Sequence, residues 1–420
     1  MPRKIDCAAI PRSVLDVASA IRGAAGRAFL VGGPVRDLML GKTPSDWDIA
    51  TDLAPDDVLR IFPCAATVGI EFGRVQVSGI DVVSLRREAG YIDRRHPDAV
   101  TFGVPVEEDL RRRDFTINAM AAEFDDFTVI DPFGGADDLG RRVIRAVGDA
   151  QKRLAEDPLR ILRALRFRTV LGMNLDPEVA ALLPELAPLL GGVSAQRVFG
   201  ELRRILLAPG VYQGILDLQD YGLGQVVLPS VFGAGSSSVE MAARALSMSP
   251  PDLVTRLAVL FGAACGAEPA RTALAGLNVQ VSLKQDVSWV LGNAGQDGPT
   301  GRSIESGERD FAYLARRIVD SGSLDQVYRL IDFEQALWRA RGNRGFSPVA
   351  SALVAGLVAV ADNLAGPLAL TGDDVVKILA ISGPAVGEAL SYLKDFVMRD
   401  PSANVREALE SALREWWSRR

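Results

Sequence analysis

Asp46 and Asp48 stand two residues apart in Ser45-Asp46-Trp47-Asp48-Ile49-Ala50-Thr51. On a β-strand alternate side chains share a face, so the spacing predicts two carboxylates pointing the same way. Like charges held that close repel unless a cation lies between them. A hard divalent ion that takes oxygen ligands, Mg²⁺, meets that need. Upstream, Phe29-Leu30-Val31-Gly32-Gly33-Pro34-Val35-Arg36-Asp37 reads as a strand, a glycine turn and a short helix. The glycines let the backbone approach a ligand, the helix start presents free N–H groups that suit a phosphate, and Arg36, one turn in, reaches the same oxygens. Acids for a metal beside a glycine turn for a triphosphate suggest a nucleotide-handling site. A lone D-x-D would be read as two solvated acids; the whole string reverses that.

The elements that must position these residues follow from the patterning. An amphipathic helix is expected over 12–25, strands over 74–78 and 80–86, and a polar loop over 87–99. Alternation places Asp81 on one face with Val83 and Leu85, as a rim residue or a third metal-site carboxylate. Arg111-Arg112-Arg113 joins a basic cluster to a further strand, and Asp131-Pro132-Phe133-Gly134-Gly135 is a strong turn signal. Strands and helices mix up to about residue 148, which predicts an α+β or α/β domain; beyond it the strands vanish. Asp157 before Pro158 reads as an N-cap followed by Pro at the first helical position. In the helix that follows, Leu159, Leu162, Leu165 and Phe167 face a core, while Arg160, Arg163 and Arg166 form one basic ridge. Helices are expected over 176–188, 194–207 and 210–220 and from 238 onward, with a linker at 233–238 and a polar break at 296–308.

Composition narrows the classes. At 420 residues the chain is long enough for two to four domains, and its net charge of −6 provides no global basic field, so any RNA contact must come from a local patch. Cys7, Cys64 and Cys265 are far apart and odd in number, which favours reduced thiols in a cytoplasmic protein over a disulfide frame. Met1 to Asp6 lacks the apolar run of a signal peptide, and the most apolar stretch, 351–361, is too short to span a bilayer and is expected to be a buried helix. A single histidine, His96, in a polar loop excludes multi-histidine zinc sites and histidine–aspartate phosphohydrolase domains. Gly41-Lys42-Thr43 fails as a P-loop, because position 36, where that motif needs glycine, is arginine. Trp416-Trp417 reads as a helix docking its apolar face.

The string Leu30-Val31-Gly32-Gly33-Pro34-Val35-Arg36-Asp37…Asp46-Trp47-Asp48-Ile49-Ala50-Thr51 resembles the signature of class II tRNA nucleotidyltransferases and bacterial poly(A) polymerases. Arg113-Asp114-Phe115-Thr116-Ile117-Asn118-Ala119 is similar to their second head motif, Asp131 to Gly135 to the head's closing turn, and Glu156-Asp157-Pro158-Leu159-Arg160 with Arg163 and Arg166 to the neck helix that reads the incoming base. A weaker tail signature is matched from Leu370 and from Gly383. The resemblance implies an α+β fold: a polymerase β-like head over 1–148, a helical neck over 149–232, and a helical body and tail over 233–420 that binds tRNA. It implies that Asp46 and Asp48 hold Mg²⁺ ions for in-line attack of an RNA hydroxyl on the α-phosphorus. Asp81 would be a third catalytic carboxylate, although the family usually carries glutamate there. Gly33, Arg36 and Arg113 would contact the nucleotide.

Base choice follows from hydrogen-bond chemistry. C and A each present an amino donor beside a ring-nitrogen acceptor, whereas U and G present the reverse. Asp157 is an obligate acceptor and Arg160 an obligate donor, which predicts CTP and ATP as substrates. The leading expectation is addition of C, C and A to the tRNA 3′ end. Polyadenylation and CC- or A-adding specialisation are the alternatives, and in the family loop 87–99 decides whether a member is such a specialist. A non-catalytic RNA binder or an antibiotic-modifying enzyme with only the head fold is argued against by the intact carboxylates, by the Asp157/Arg160 pair and by the long helical tail.

Overall fold

The computed structural model describes residues 3–67, 69–91, 97–294, 323–364, 368–399 and 403–419. His96 and the polar break at 296–308 lie outside them. The chain divides into two compact units, Met1–Pro229 and Ser230–Arg420.

The first unit is built on a six-stranded sheet of order β3-β4-β2-β1-β7-β8. Its strands are β1 (Ala28–Val31), β2 (Asp48–Thr51), β3 (Arg74–Val77), β4 (Ile80–Ser84), β7 (Ala121–Glu123) and β8 (Val129–Ile130). Strand β1 is fully buried and antiparallel to both β2 and β7, while β2 runs parallel to β4. The β3–β4 turn uses positive φ at both Ser78 and Gly79, the backbone a two-residue hairpin requires. Phe29, Val31, Ala50, Leu85, Leu110 and Ala121 form the core beneath the sheet. Helices α1 (Arg12–Gly23), α2 (Gly33–Met39), α3 (Pro55–Ile61), α4 (Val106–Arg111) and α5 (Gly135–Arg141) surround it. In α1, Val14, Val17, Ala18 and Ile21 are buried, the i, i+3, i+4, i+7 stripe of an amphipathic helix.

Four expectations change. Strands do not end at residue 148, because Asn174–Leu175 pairs in parallel with Val143–Ile144; a two-residue strand is too short to leave an alternation in the sequence. The stretch read as a polar loop over 87–99 has paired arms, β5 (Arg86–Tyr91) and β6 (Pro97–Phe102); charged residues hide strand pairing when neither face supplies an apolar alternation. The strand expected after Arg113 is delayed by a 3₁₀ turn, Thr116–Asn118. Strand β2 begins only at Asp48, with Asp46 on a bend before it.

After the head come α6 (Ala150–Glu156), α7 (Leu159–Leu171), α8 (Pro177–Leu186), α9 (Ala195–Leu207) and α10 (Val211–Asp220). Asp157 is extended, and its carboxylate accepts the Leu159 N–H at 3.2 Å, so it caps α7 across Pro158. Arg142 donates to the carbonyls of Leu171 and Gly172 at the C-terminus of α7, and Arg153 donates to those of Arg111 and Val147. Much of the basic concentration around 141–153 therefore holds backbone carbonyls.

The second unit is helical among its described residues, from Ser236–Ser247 to Arg406–Ser418. Its last three helices enclose Leu370, Val375, Leu393, Leu409 and Leu413. Trp416 packs on that cluster and stacks on Tyr392 with centroids 5.3 Å apart. The apolar helix Pro348–Leu364 is half-buried: Leu353 is enclosed, but Val354 and Val358 are exposed. No single helix among the described residues is long and apolar enough to cross a membrane, although one bent pair, Gly372–Leu379 with Pro384–Val397, passes on length and composition.

Candidate active site

The parallel register of β2 and β4 sets Asp48 directly beside Asp81. Burial first, and then the negative charge of Asp81, push the Asp48 carboxyl above the usual carboxylate range, against the pull of Arg113 and Arg74. Asp46 joins them from its bend, hydrogen-bonded only by the Ser45 hydroxyl among the described residues, at 3.1 Å. Asp81 is engaged by the Arg74 guanidinium and by Gln76 Nε2. The chemistry of the donors, carboxylate oxygens with a partly buried acid, suits a hard divalent ion, although no three acids stand close enough together to hold a metal among the described residues. Asp46 and Asp48 are the members without a cationic partner; Asp81, tied to Arg74, is the third acid at the edge.

Gly32 has φ +73°, and a Cβ there would lie 2.6 Å from Arg113 Nη1. Gly32 is therefore the glycine whose backbone φ other residues rarely adopt, with the mobile Arg113 guanidinium beside it, while its neighbour Gly33 lines the cavity without that constraint. Arg113 is held from behind by Asp109, whose side chain is fully buried beneath Arg112 and Arg113. Burial alone would raise the Asp109 pKa, but the two guanidiniums outweigh it and hold the carboxyl low. Arg36 donates to Asp37 at 2.8 Å and to Asn118 Oδ1 at 2.7 Å.

Asn118 in turn donates to Asp114 Oδ1 at 3.3 Å, and Asp114 accepts Arg163 Nε at 2.8 Å. A chain of contacts thus runs from Arg36 in the head to Arg163 on α7. Burial would raise the Asp114 pKa, yet the Arg163 charge and hydrogen bonds hold it at about 2. The basic ridge is enclosed: Arg160 donates to Glu156 and to the carbonyls of Arg153 and Arg112, and Arg166 pairs with Glu201 of α9. Asp157 accepts Arg197 Nη2 at 2.7 Å. Three guanidiniums, those of Arg36, Arg163 and Arg166, surround the Phe167 ring.

All ten residues singled out in the sequence line one cavity of about 1240 Å³: Asp46, Asp48, Asp81, Gly33, Arg36, Arg113, Asp157, Arg160, Arg163 and Arg166. Sequence reasoning missed the residues that hold them, Asp109, Asn118, Arg197 and Glu201. Arg197 and Glu201 carry an i, i+4 charge pattern on α9, but their partners lie on another helix.

Residues 28–145 match the poly A polymerase head domain, and residues 172–233 match the family described as the probable RNA and SrmB-binding site of polymerase A. The CCA-adding enzyme of Leuconostoc mesenteroides is 41% identical over 230 residues, 53% of this chain and 57% of that protein. That of Geobacillus stearothermophilus is 43% identical over 211 residues, 49% of this chain and 52% of that one. The matched region spans about half the length of these curated relatives. The crystal structure of the Bacillus stearothermophilus CCA-adding enzyme in complex with CTP aligns over 96% of both chains, with 28% identity and a TM-score of 0.69. The chain is thus similar, over its first half, to CCA-adding enzymes and to the poly A polymerase head domain. The Thermotoga maritima CCA-adding enzyme complexed with tRNA, 19% identical over 99% of both chains with a TM-score of 0.66, shares the fold of this chain. Chemistry in the family is metal-dependent in general, in keeping with the acids at the edge of β2.

Proposed function

We propose that this chain adds C, C and A to the 3′ end of tRNA from CTP and ATP, releasing pyrophosphate, as a cytoplasmic enzyme. The observation that carries this reading is the shared cavity, which joins the acids of β2 and β4 to the acceptor–donor pair of α7. Asp46 and Asp48 would hold Mg²⁺, with Asp81 beside them. Bound there, the ion would lower the pKa of the RNA's terminal hydroxyl and neutralise the departing pyrophosphate. Gly33, Arg36 and Arg113 bind the triphosphate and orient the α-phosphorus. Asp157 accepts the amino group of C or A, and Arg160 donates to the adjacent ring nitrogen; U and G would set acceptor against acceptor and donor against donor. Arg163 and Arg166 hold the base-reading helix against the head and α9. The CTP complex of the Bacillus stearothermophilus relative supports the choice of nucleotide.

The test is incubation with tRNA lacking its 3′ end and each labelled nucleotide in turn. Incorporation of C and then A, stopping at three and abolished by Asp46→Ala, is the expected result. The match of residues 28–145 to the poly A polymerase head domain favours polyadenylation as a second reading; it predicts long A tracts on any RNA. Incorporation of C alone or A alone would make the chain a specialist, and none with Mg²⁺ present would overturn the assignment.

A further inference from the structure

Arg74, Gln76 and Asp81 stand on one face of the β3–β4 hairpin. Alternate residues of a strand share a face, and in β3 Val75 and Val77 are buried while Arg74 and Gln76 are not. The antiparallel register sets Gln76 opposite Asp81 and Arg74 opposite Val83. Arg74 is thus the diagonal neighbour of Asp81, within reach of a long side chain. Both carboxylate oxygens of Asp81 are taken as a result: Oδ2 is paired with the Arg74 guanidinium, and Oδ1 accepts Gln76 Nε2 at 3.2 Å. Because β3 is the outer strand of the sheet, the Arg74 side chain is 47% exposed against 21% for Asp81. Both line the cavity.

On its other side Asp81 is the direct neighbour of Asp48 on β2, across one inter-strand spacing of ~4.8 Å. That spacing would let one cation lie between the two acids. Yet no group of three acids among the described residues is placed to hold a metal. Asp81 is satisfied by Arg74 and Gln76, whereas Asp46 accepts only the Ser45 hydroxyl among the described residues. A guanidinium is a permanent charge, and a carboxylate in a charge-assisted bond to it has to give up that bond before an ion can take the same oxygen.

Mg²⁺ is ordinarily held by one or two carboxylates together with substrate phosphates, not by a full protein cage. We propose that Arg74 is a positioning residue: as the resident counter-cation of Asp81 it keeps that carboxylate out of coordination and confines the divalent ion to Asp46 and Asp48. The protein then supplies two carboxylates, the nucleotide's phosphates supply further ligands, and ion and nucleotide bind together. The proposal rests on the reading of Asp46 and Asp48 as the metal ligands and deepens it.

The test is Mn²⁺ binding to the full chain without nucleotide, followed by electron paramagnetic resonance of the free ion. Arg74→Ala is expected to tighten Mn²⁺ by roughly tenfold, because the charge count of the ligands tunes a carboxylate site. Adding Asp81→Asn to Arg74→Ala should cancel that gain and return the wild-type Kd, and Arg74→Lys should keep the wild-type Kd throughout. The gain should survive ~0.5 M KCl, which screens a charge acting at a distance but not a direct ligand. Melting curves show whether the variants remain folded. An unchanged Kd for Arg74→Ala overturns the proposal, and so does a gain that vanishes in salt. A double variant that binds Mn²⁺ well below the wild type also overturns it, since Asp81 would then be a ligand already. Mn²⁺ binding that Asp46→Asn leaves intact overturns the metal-site reading itself, and this proposal with it.

Discussion

Gly32 holds a backbone conformation that L side chains rarely adopt. Its positive φ strains any L-residue, and a Cβ would strike Arg113 Nη1. Gly32→Ala is expected to cost about 1–3 kcal/mol from the backbone alone and to raise the KM for CTP by displacing Arg113; Gly33→Ala, at ordinary contact distance from Arg36, should do far less. Steady-state kinetics on the pair separates the two. Asp114 is a stability determinant with a definite sign. Its folded pKa of about 2 lies below the ordinary 3.8, so its contribution is present above pH 4 and is lost as pH falls toward 2. The shift corresponds to about 2 kcal/mol. Asp114→Asn should therefore make the acid limb of a stability–pH curve shallower by that amount, measured by urea unfolding. Arg197 acts through Asp157. Removing a charge-assisted hydrogen bond worth ~1.5–3 kcal/mol by Arg197→Ala should reduce discrimination of CTP over UTP by roughly 10- to 100-fold. Unchanged discrimination would show that Asp157 is held by its capping bond alone.

At the scale of elements, the site is a meeting of two inner strands of the sheet, β2 and β4, with one helix pair. Parallel pairing of β2 with β4 sets Asp48 against Asp81; a slip of one residue would turn one of them to the opposite face. Helices α7 and α9 are joined by acids and arginines that are largely enclosed, with the Glu201 side chain only 4% exposed against Arg166 and Arg163. Breaking such a set from one side leaves buried charge unpaired, which costs about 3–5 kcal/mol. Glu201→Gln is therefore expected to destabilise the first unit by that order, seen as a lowered urea midpoint. Glu201→Gln combined with Arg166→Met, which removes both charges, should recover part of the loss.

At the scale of the whole molecule, the net charge of −6 conceals a cavity lined by many cations. All of its lining comes from the first unit, so nucleotide-binding free energy enters there. At one hundred times Kd, CTP with Mg²⁺ should add ~2.7 kcal/mol, measured as slowed amide exchange in α7 and β2. EDTA should remove the effect if Asp46 and Asp48 hold a divalent ion. Protection confined to residues 230–419 would contradict the placement of the site.

The sequence by itself determined the local grammar: the glycine turn, the acid spacing and the cap at Asp157. These depend on neighbours within a few residues, where backbone geometry is set by residue type. The mixed head and helical remainder were legible for the same reason, from periodicity. Only the tertiary structure decided which glycine carries the constraint, because the positive φ falls on Gly32 and not on Gly33. It also decided that the arginine ridge on α7 is enclosed, since its counter-charges Asp114 and Glu201 come from other elements. The 87–99 stretch escaped because pairing between its arms leaves no apolar signature in a charged run. Ion pairs and close approaches between distant segments depend on the packing that brings them together, and no spacing along one strand or helix encodes them.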